Sequence, residues 1–124
     1  MKKIFTIFII LIVSNNFFAQ SNKKDVQKSI EKRAKDYENI AKSIWGWAEM
    51  GYLEEKSSAL LQKTLSDAGF SIKAGVADIP TAFVAEYGSG LPIIGILAEY
   101  DALPGISQEV ATERKPILDQ EAGH

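Results

Sequence analysis

The sequence predicts an α/β chain, two helices followed by a β-hairpin or small sheet segment, and three observations carry that reading. In the first half, Ile30, Ala34, Tyr37, Ala41, Ile44 and Ala48 recur at helical steps of three and four. From Phe70 the period shortens, and Phe70, Ile72 and Ala74 alternate with Ser71, Lys73 and Gly75. Two β-rich runs, TAFVAEY at 81–87 and PIIGILAEY at 92–100, then flank the turn cluster Gly88-Ser89-Gly90.

Residues 1–19 form a separate object. Lys2 and Lys3 precede an apolar run at 4–13, broken only by Thr6, and Ser14, Asn15 and Asn16 restore polarity before Phe17-Phe18-Ala19. This is the layout of a secretory signal peptide cut after Ala19. The run is shorter than the roughly 20 apolar residues a membrane-crossing helix needs. It directs the rest of the chain, 20–124, to the periplasm or the cell exterior, with no membrane attachment after cleavage.

The first helix is expected over 25–49. Lys28, Lys32, Lys35, Asp36 and Lys42 lie off its apolar stripe, and Gly51 is placed to stop it. The second is expected over 57–68, with Leu61, Leu65 and Ala68 on one face. Gly69 is its left-handed C-terminal residue and Phe70 folds back onto it. Residues 70–74 read as an edge strand, and Pro80 interrupts. The apolar run at 92–100 has the pattern of a strand buried on both faces, paired with 81–87 as an antiparallel hairpin. Residues 108–124 are polar and without period, and read as a loop. Three strands with no closing helix leave apolar surface uncovered, so the sequence reads as part of a larger domain.

Composition narrows the function. The chain has 124 residues with 14 Lys and Arg against 16 Asp and Glu, a net charge of −2. No basic excess faces a phosphate backbone, which argues against a nucleic-acid partner. Without cysteine, disulfides and thiolate metal sites are excluded within this stretch.

Chemistry concentrates at Glu99-Tyr100-Asp101. Two carboxylates stand at the C-terminal end of the most apolar strand, where open α/β sheets place ligands. Such groups bind a hard cation, orient a histidine ligand or act as a base; a solvated strand end is the plainer reading. His124, the single histidine, cannot build a site alone. Trp45 and Trp47, two apart on a helix, face different sides, one for the core and one for a partly exposed edge. Glu49, Glu54 and Glu55 read as a helix end followed by a solvated turn. Gly88-Ser89-Gly90 lies between strands and reads as a hairpin turn, not a phosphate cradle.

Several stretches together resemble the M20 family of metal-dependent amidohydrolases, in its aminobenzoyl-glutamate hydrolase-like branch. They are Ile44-Trp45, Ala48-Glu49-Met50-Gly51-Tyr52, Glu55 with Ser58, and Leu65 with Gly69-Phe70. The most specific is IPTAFVAEYGSGLPIIGILAEYDALPGISQ at 79–108, with its AEYDALPG and GISQ. The resemblance extends over about residues 30–124. It implies the N-terminal part of a zinc-peptidase-like catalytic domain, which in the family carries an inserted, smaller dimerisation domain. It also implies hydrolysis of amide bonds in N-acylated amino acids or aminobenzoyl-glutamate-like small molecules by a water activated on zinc, manganese or cobalt.

By the same resemblance, Asp101 matches the aspartate of a His-x-Asp motif, whose role is to orient and polarise a metal ligand. Glu99 stands where relatives carry the ligand histidine, a departure that leaves it a supporting or structural role. Gly123-His124 resembles a Gly-His pair that precedes a Cys-Gly-His motif, so no metal ligand falls within this stretch. The general-base glutamate and the ligands are expected beyond His124, leaving this part inactive alone. A homodimer of the longer protein stays open. So does a reading of another class, a secreted binding or accessory protein that keeps the fold without the chemistry.

Overall fold

The computed structural model describes the backbone of residues 2–124 and the side chains from Lys23 onward. The apolar run at 4–13 and the cut after Ala19 lie outside the residues whose side chains are described. Among the described residues no helix is long and apolar enough to cross a membrane. The chain divides into two units, Met1–Glu38 and Asn39–His124.

The element order is helix, helix, then short antiparallel strands, as the sequence predicts. Helix α1 spans Lys2–Trp47, which takes in the first unit from Lys2 onward. It begins well before the expected start. Val26, Ile30 and Tyr37, on or beside its expected stripe, are exposed, at 59%, 57% and 45%. Within the second unit the stripe is better covered, and Ile44, Trp45 and Ala48 are half-buried. Gly51 does not stop this helix. Ala48 does, at φ +46°, its N–H still bonded to Ile44 O at 3.1 Å.

Helix α2, Glu55–Asp67, matches expectation closely. Its end is a Schellman motif: Phe70 N–H donates to Leu65 O at 3.0 Å and Gly69 N–H to Ser66 O at 2.9 Å. Gly69 sits at φ +93°, a conformation that costs a residue with a Cβ and costs glycine little. The turn delivers the chain into β1, Ser71–Ala74.

Strand β1 pairs antiparallel with β2, Phe83–Glu86, in the register Ser71↔Glu86 to Ala74↔Phe83. A short 3-10 turn at Val76–Asp78 joins them, closed by Gly75 N–H to Ala82 O at 2.8 Å. Helix α2 packs on this pair, and the Phe70 and Tyr87 rings meet at 5.1 Å at one end of it. The hairpin is therefore β1–β2, and the expected pairing of 81–87 with 92–100 does not form.

Residues 92–100 are the main departure from the sequence reading. No strand pairs with them among the described residues. Ile93, Ile94, Ile96 and Leu97 are 83–93% exposed. Composition suits a buried central strand, but a strand exists only where neighbours take up its N–H and C=O groups. Strand pairing resumes at β3, Leu103–Pro104, which pairs antiparallel with β4, Ala122–Gly123. The intervening 105–121 is a loop, but the loop expected over 108–124 gives way to β4 at its end.

The interior of the second unit is small and largely polar. Among the described residues the buried apolar positions are Ala102 and Ala122, while Glu54, Ser57, Ser58 and Thr81 are buried polar ones. Glu54 is thus no part of a solvated turn.

Candidate functional site

Asp101 is fixed through its backbone neighbours. The next residue, Ala102, is 1% exposed, and its N–H donates to Glu49 O at 2.8 Å. A parallel bridge links Met50 with Ala102. A Cβ placed on Gly51 would lie 3.7 Å from Asp101 Oδ2, so the carboxylate rests over Gly51. The segment Glu49-Met50-Gly51 is in this way a rail along which Asp101 and Ala102 lie. Asp101 remains exposed to solvent. Glu99, also exposed, lies at the end of the unpaired apolar run and is not brought to this rail.

The rail is held by its own side chain. The Glu49 carboxylate accepts Lys56 N–H at 3.0 Å, Ser57 N–H at 2.8 Å and the Ser57 hydroxyl at 2.7 Å. These N–H groups belong to the first turn of α2, which has no partner inside its own helix. Glu54, the residue at the N-cap position, makes no side-chain cap bond. Burial raises the Glu49 carboxyl pKa. The Lys56 and Ser57 backbone bonds, the Ser57 hydroxyl and the Lys56 charge outweigh it and hold the group below its ordinary value of 4.5.

Glu54 is engaged elsewhere. Thr81 Oγ1 donates to Glu54 Oε2 at 2.6 Å. Thr81 O accepts both the Ser58 hydroxyl at 2.6 Å and the Tyr100 hydroxyl at 2.7 Å. Tyr100, the residue before Asp101, is therefore tied to Thr81 beside α2, while Ala102 is tied to Glu49 in the loop that follows α1. The two anchors bracket Asp101. A cleft of about 310 Å³ opens beside this cluster, lined by Tyr52, Glu55, Ser58, Ala59, Gln62, Pro80 and Thr81.

His124 returns near the same place. The β3–β4 register sets Gly123 opposite Leu103, and a Cβ on Gly123 would lie 2.8 Å from Ile106 O and from Ser107 Cα. Only glycine fits this approach. The His124 ring lies 6.1 Å from that of Trp45, and its buried Nε2 has no hydrogen-bond partner among the described residues. Trp45 is half-buried, its Nε1 donating to Gln108 O at 2.8 Å, and Trp47 is 37% exposed, so the edge position expected of one indole is met and the core position of the other is not. Gln108 and Ser107 of the GISQ stretch staple the loop. The Gln108 side chain bonds Glu113 O and Lys115 N–H, and the Ser107 hydroxyl donates to Ile117 O at 2.7 Å.

The donor set falls short of a metal site. Among the described residues no group of three or more His, Cys, Asp or Glu is placed to hold a cation. Asp101 lies over Gly51 as an exposed carboxylate outside any such group. The anchoring parts played by Glu49, Glu54, Thr81 and Tyr100 are not legible in the sequence, because contacts spanning 8 to 27 residues leave no mark in local pattern.

No family model matches the chain, and no solved structure matches it. The chain is 37% identical over 100 residues to a p-aminobenzoyl-glutamate hydrolase subunit of Escherichia coli (strain K12). The match takes in 80% of this chain and 21% of that protein. Over most of its length the chain is similar to an aminobenzoyl-glutamate hydrolase subunit, and it spans about a fifth of that protein's length.

Proposed function

We propose that this chain is the N-terminal part of a secreted M20-type amidohydrolase that cleaves the amide bond of aminobenzoyl-glutamate or a related N-acylated amino acid. The identity to a hydrolase subunit over 100 residues is the observation that carries this reading. The geometry supports it. Asp101, bracketed by the Tyr100 and Ala102 anchors, is a carboxylate with a fixed backbone and an open face. In the longer protein it would orient and polarise a ligand of a divalent metal (zinc, manganese or cobalt) supplied by residues outside this chain. Glu99 would stay at the margin as a structural carboxylate. Residues 20–124 would form one edge of a zinc-peptidase-like domain and be inactive alone.

The similar protein is named as a subunit, which favours work alongside a second kind of chain over a homodimer. The signal-peptide pattern at 1–19 favours action in the periplasm or outside the cell. The test is release of 4-aminobenzoate from aminobenzoyl-glutamate by the longer protein, with and without a metal chelator. Chelator-sensitive release is expected. Binding of the intact conjugate without cleavage would replace this reading with that of a secreted binding protein.

A further inference from the structure

Glu49 makes two kinds of bond that serve different ends of the site. Its side chain gathers three donors from the first turn of α2, at 2.7–3.0 Å. Its carbonyl takes the N–H of Ala102 at 2.8 Å. One residue therefore couples the start of α2 to the backbone beside Asp101, and Gly51, two positions on, lies under the Asp101 carboxylate.

A carboxylate is suited to this position for two reasons. Two successive N–H groups and a hydroxyl converge there, and a carboxylate offers two oxygens with about four lone-pair sites and no competing donor. The N-terminus of a helix also carries partial positive charge. The loop between the helices holds two non-glycine residues at positive φ, Ala48 at +46° and Tyr52 at +68°. Such backbone persists only where its surroundings over-determine it, and the Glu49 bonds bridge residues 49 and 57, starting next to Ala48 and closing over Tyr52. Freed of these bonds, the loop can relax, and Glu49 O and Gly51 move away from Ala102 and Asp101.

We propose that Glu49 is a positioning residue for Asp101, a role that rests on the function proposed above. An ordinary helix cap would set stability alone. A positioning residue also sets turnover, since displacement of a group that orients a ligand lowers activity by about 10- to 100-fold.

The experiment uses the longer protein with aminobenzoyl-glutamate as probe, at a temperature where every variant is folded. Glu49→Ala removes all three acceptor contacts. Glu49→Gln keeps one acceptor oxygen and serves if the alanine variant does not fold. Glu49→Ala is expected to lower kcat about tenfold or more with KM within about twofold, and Glu49→Gln to lie between it and the wild type. Hydrogen exchange at the Ala102 amide should quicken in the same order. Wild-type kcat in a folded variant would overturn the positioning role and leave Glu49 a helix cap. If the wild type itself releases no aminobenzoate, the functional reading fails separately. Exchange then decides the geometric claim, and an Ala102 amide indifferent to Glu49 would overturn it.

Discussion

Replacing Thr81 with valine isolates the buried polar cluster in a single bond. Thr81 and Glu54 are 7% and 9% exposed, and the hydroxyl donates to the carboxylate at 2.6 Å. Valine has nearly the shape of threonine, so packing is kept and the donor alone is lost. The Thr81 carbonyl still accepts Ser58 and Tyr100. A hydrogen bond to a charged group is worth about 1.5–3 kcal/mol, and the carboxylate left behind is shielded from water that could replace the donor. Thr81→Val should therefore cost about 2–3 kcal/mol, a large share of the roughly 5–15 kcal/mol that typically holds a domain. Both tryptophans lie in the second unit, so urea unfolding followed by their fluorescence reports on it directly. The double variant Thr81→Val with Glu54→Leu removes both partners and should lose less than the sum of the two single losses. A loss below about 0.5 kcal/mol for Thr81→Val, or strict additivity in the cycle, would refute the claim that this bond organises the interior.

Three further outcomes follow from the same contacts. Because the Glu49 carboxyl is held below its ordinary value of 4.5, its bonds stabilise the fold fully above that value and are lost as pH falls through the lowered one. The wild type should lose stability with acid over that window, and Glu49→Gln should lack this component in urea titrations run at a series of pH values. Gly123→Ala would bring its Cβ to 2.8 Å from backbone atoms of Ile106 and Ser107, so the β3–β4 pair must shift. A loss of about 1–3 kcal/mol in the same assay, with changed Trp45 fluorescence as His124 is displaced, is expected. The exposed run holding Ile93, Ile94, Ile96 and Leu97 should drive self-association of the 124-residue chain, and Ile96→Lys should raise its monomer fraction in sedimentation velocity.

The legible parts of the fold were those set by local chemistry. Helix α2 is encoded by its apolar spacing and by Gly69, whose freedom at φ +93° ends it within a residue of the expected place. The shortened period after Phe70 marks β1, and TAFVAEY contains β2. Pairing was not legible, because it depends on what lies beside a strand. PIIGILAEY has the composition of a central strand, yet its apolar side chains stand in solvent with no partner among the described residues. The end of α1 was misplaced because glycine is the usual residue at positive φ, whereas here Ala48 adopts it and Gly51 serves the close approach to Asp101. At the site, Asp101 stood out by its place after an apolar run. The carboxylates of Glu49 and Glu54 looked like surface charges, since nothing in their neighbourhood announces the α2 N–H groups or the Thr81 hydroxyl that donate to them.

The central claim is that Asp101 is held ready to support the reacting centre of an amidohydrolase, and Asp101→Ala in the longer protein tests it most directly. Turnover of aminobenzoyl-glutamate would be measured beside bound metal and circular dichroism. A fall of about 10- to 100-fold in kcat/KM, with the spectrum of the wild type, is the predicted result. Turnover equal to that of the wild type, with metal content unchanged, would contradict it and remove Asp101 from the site.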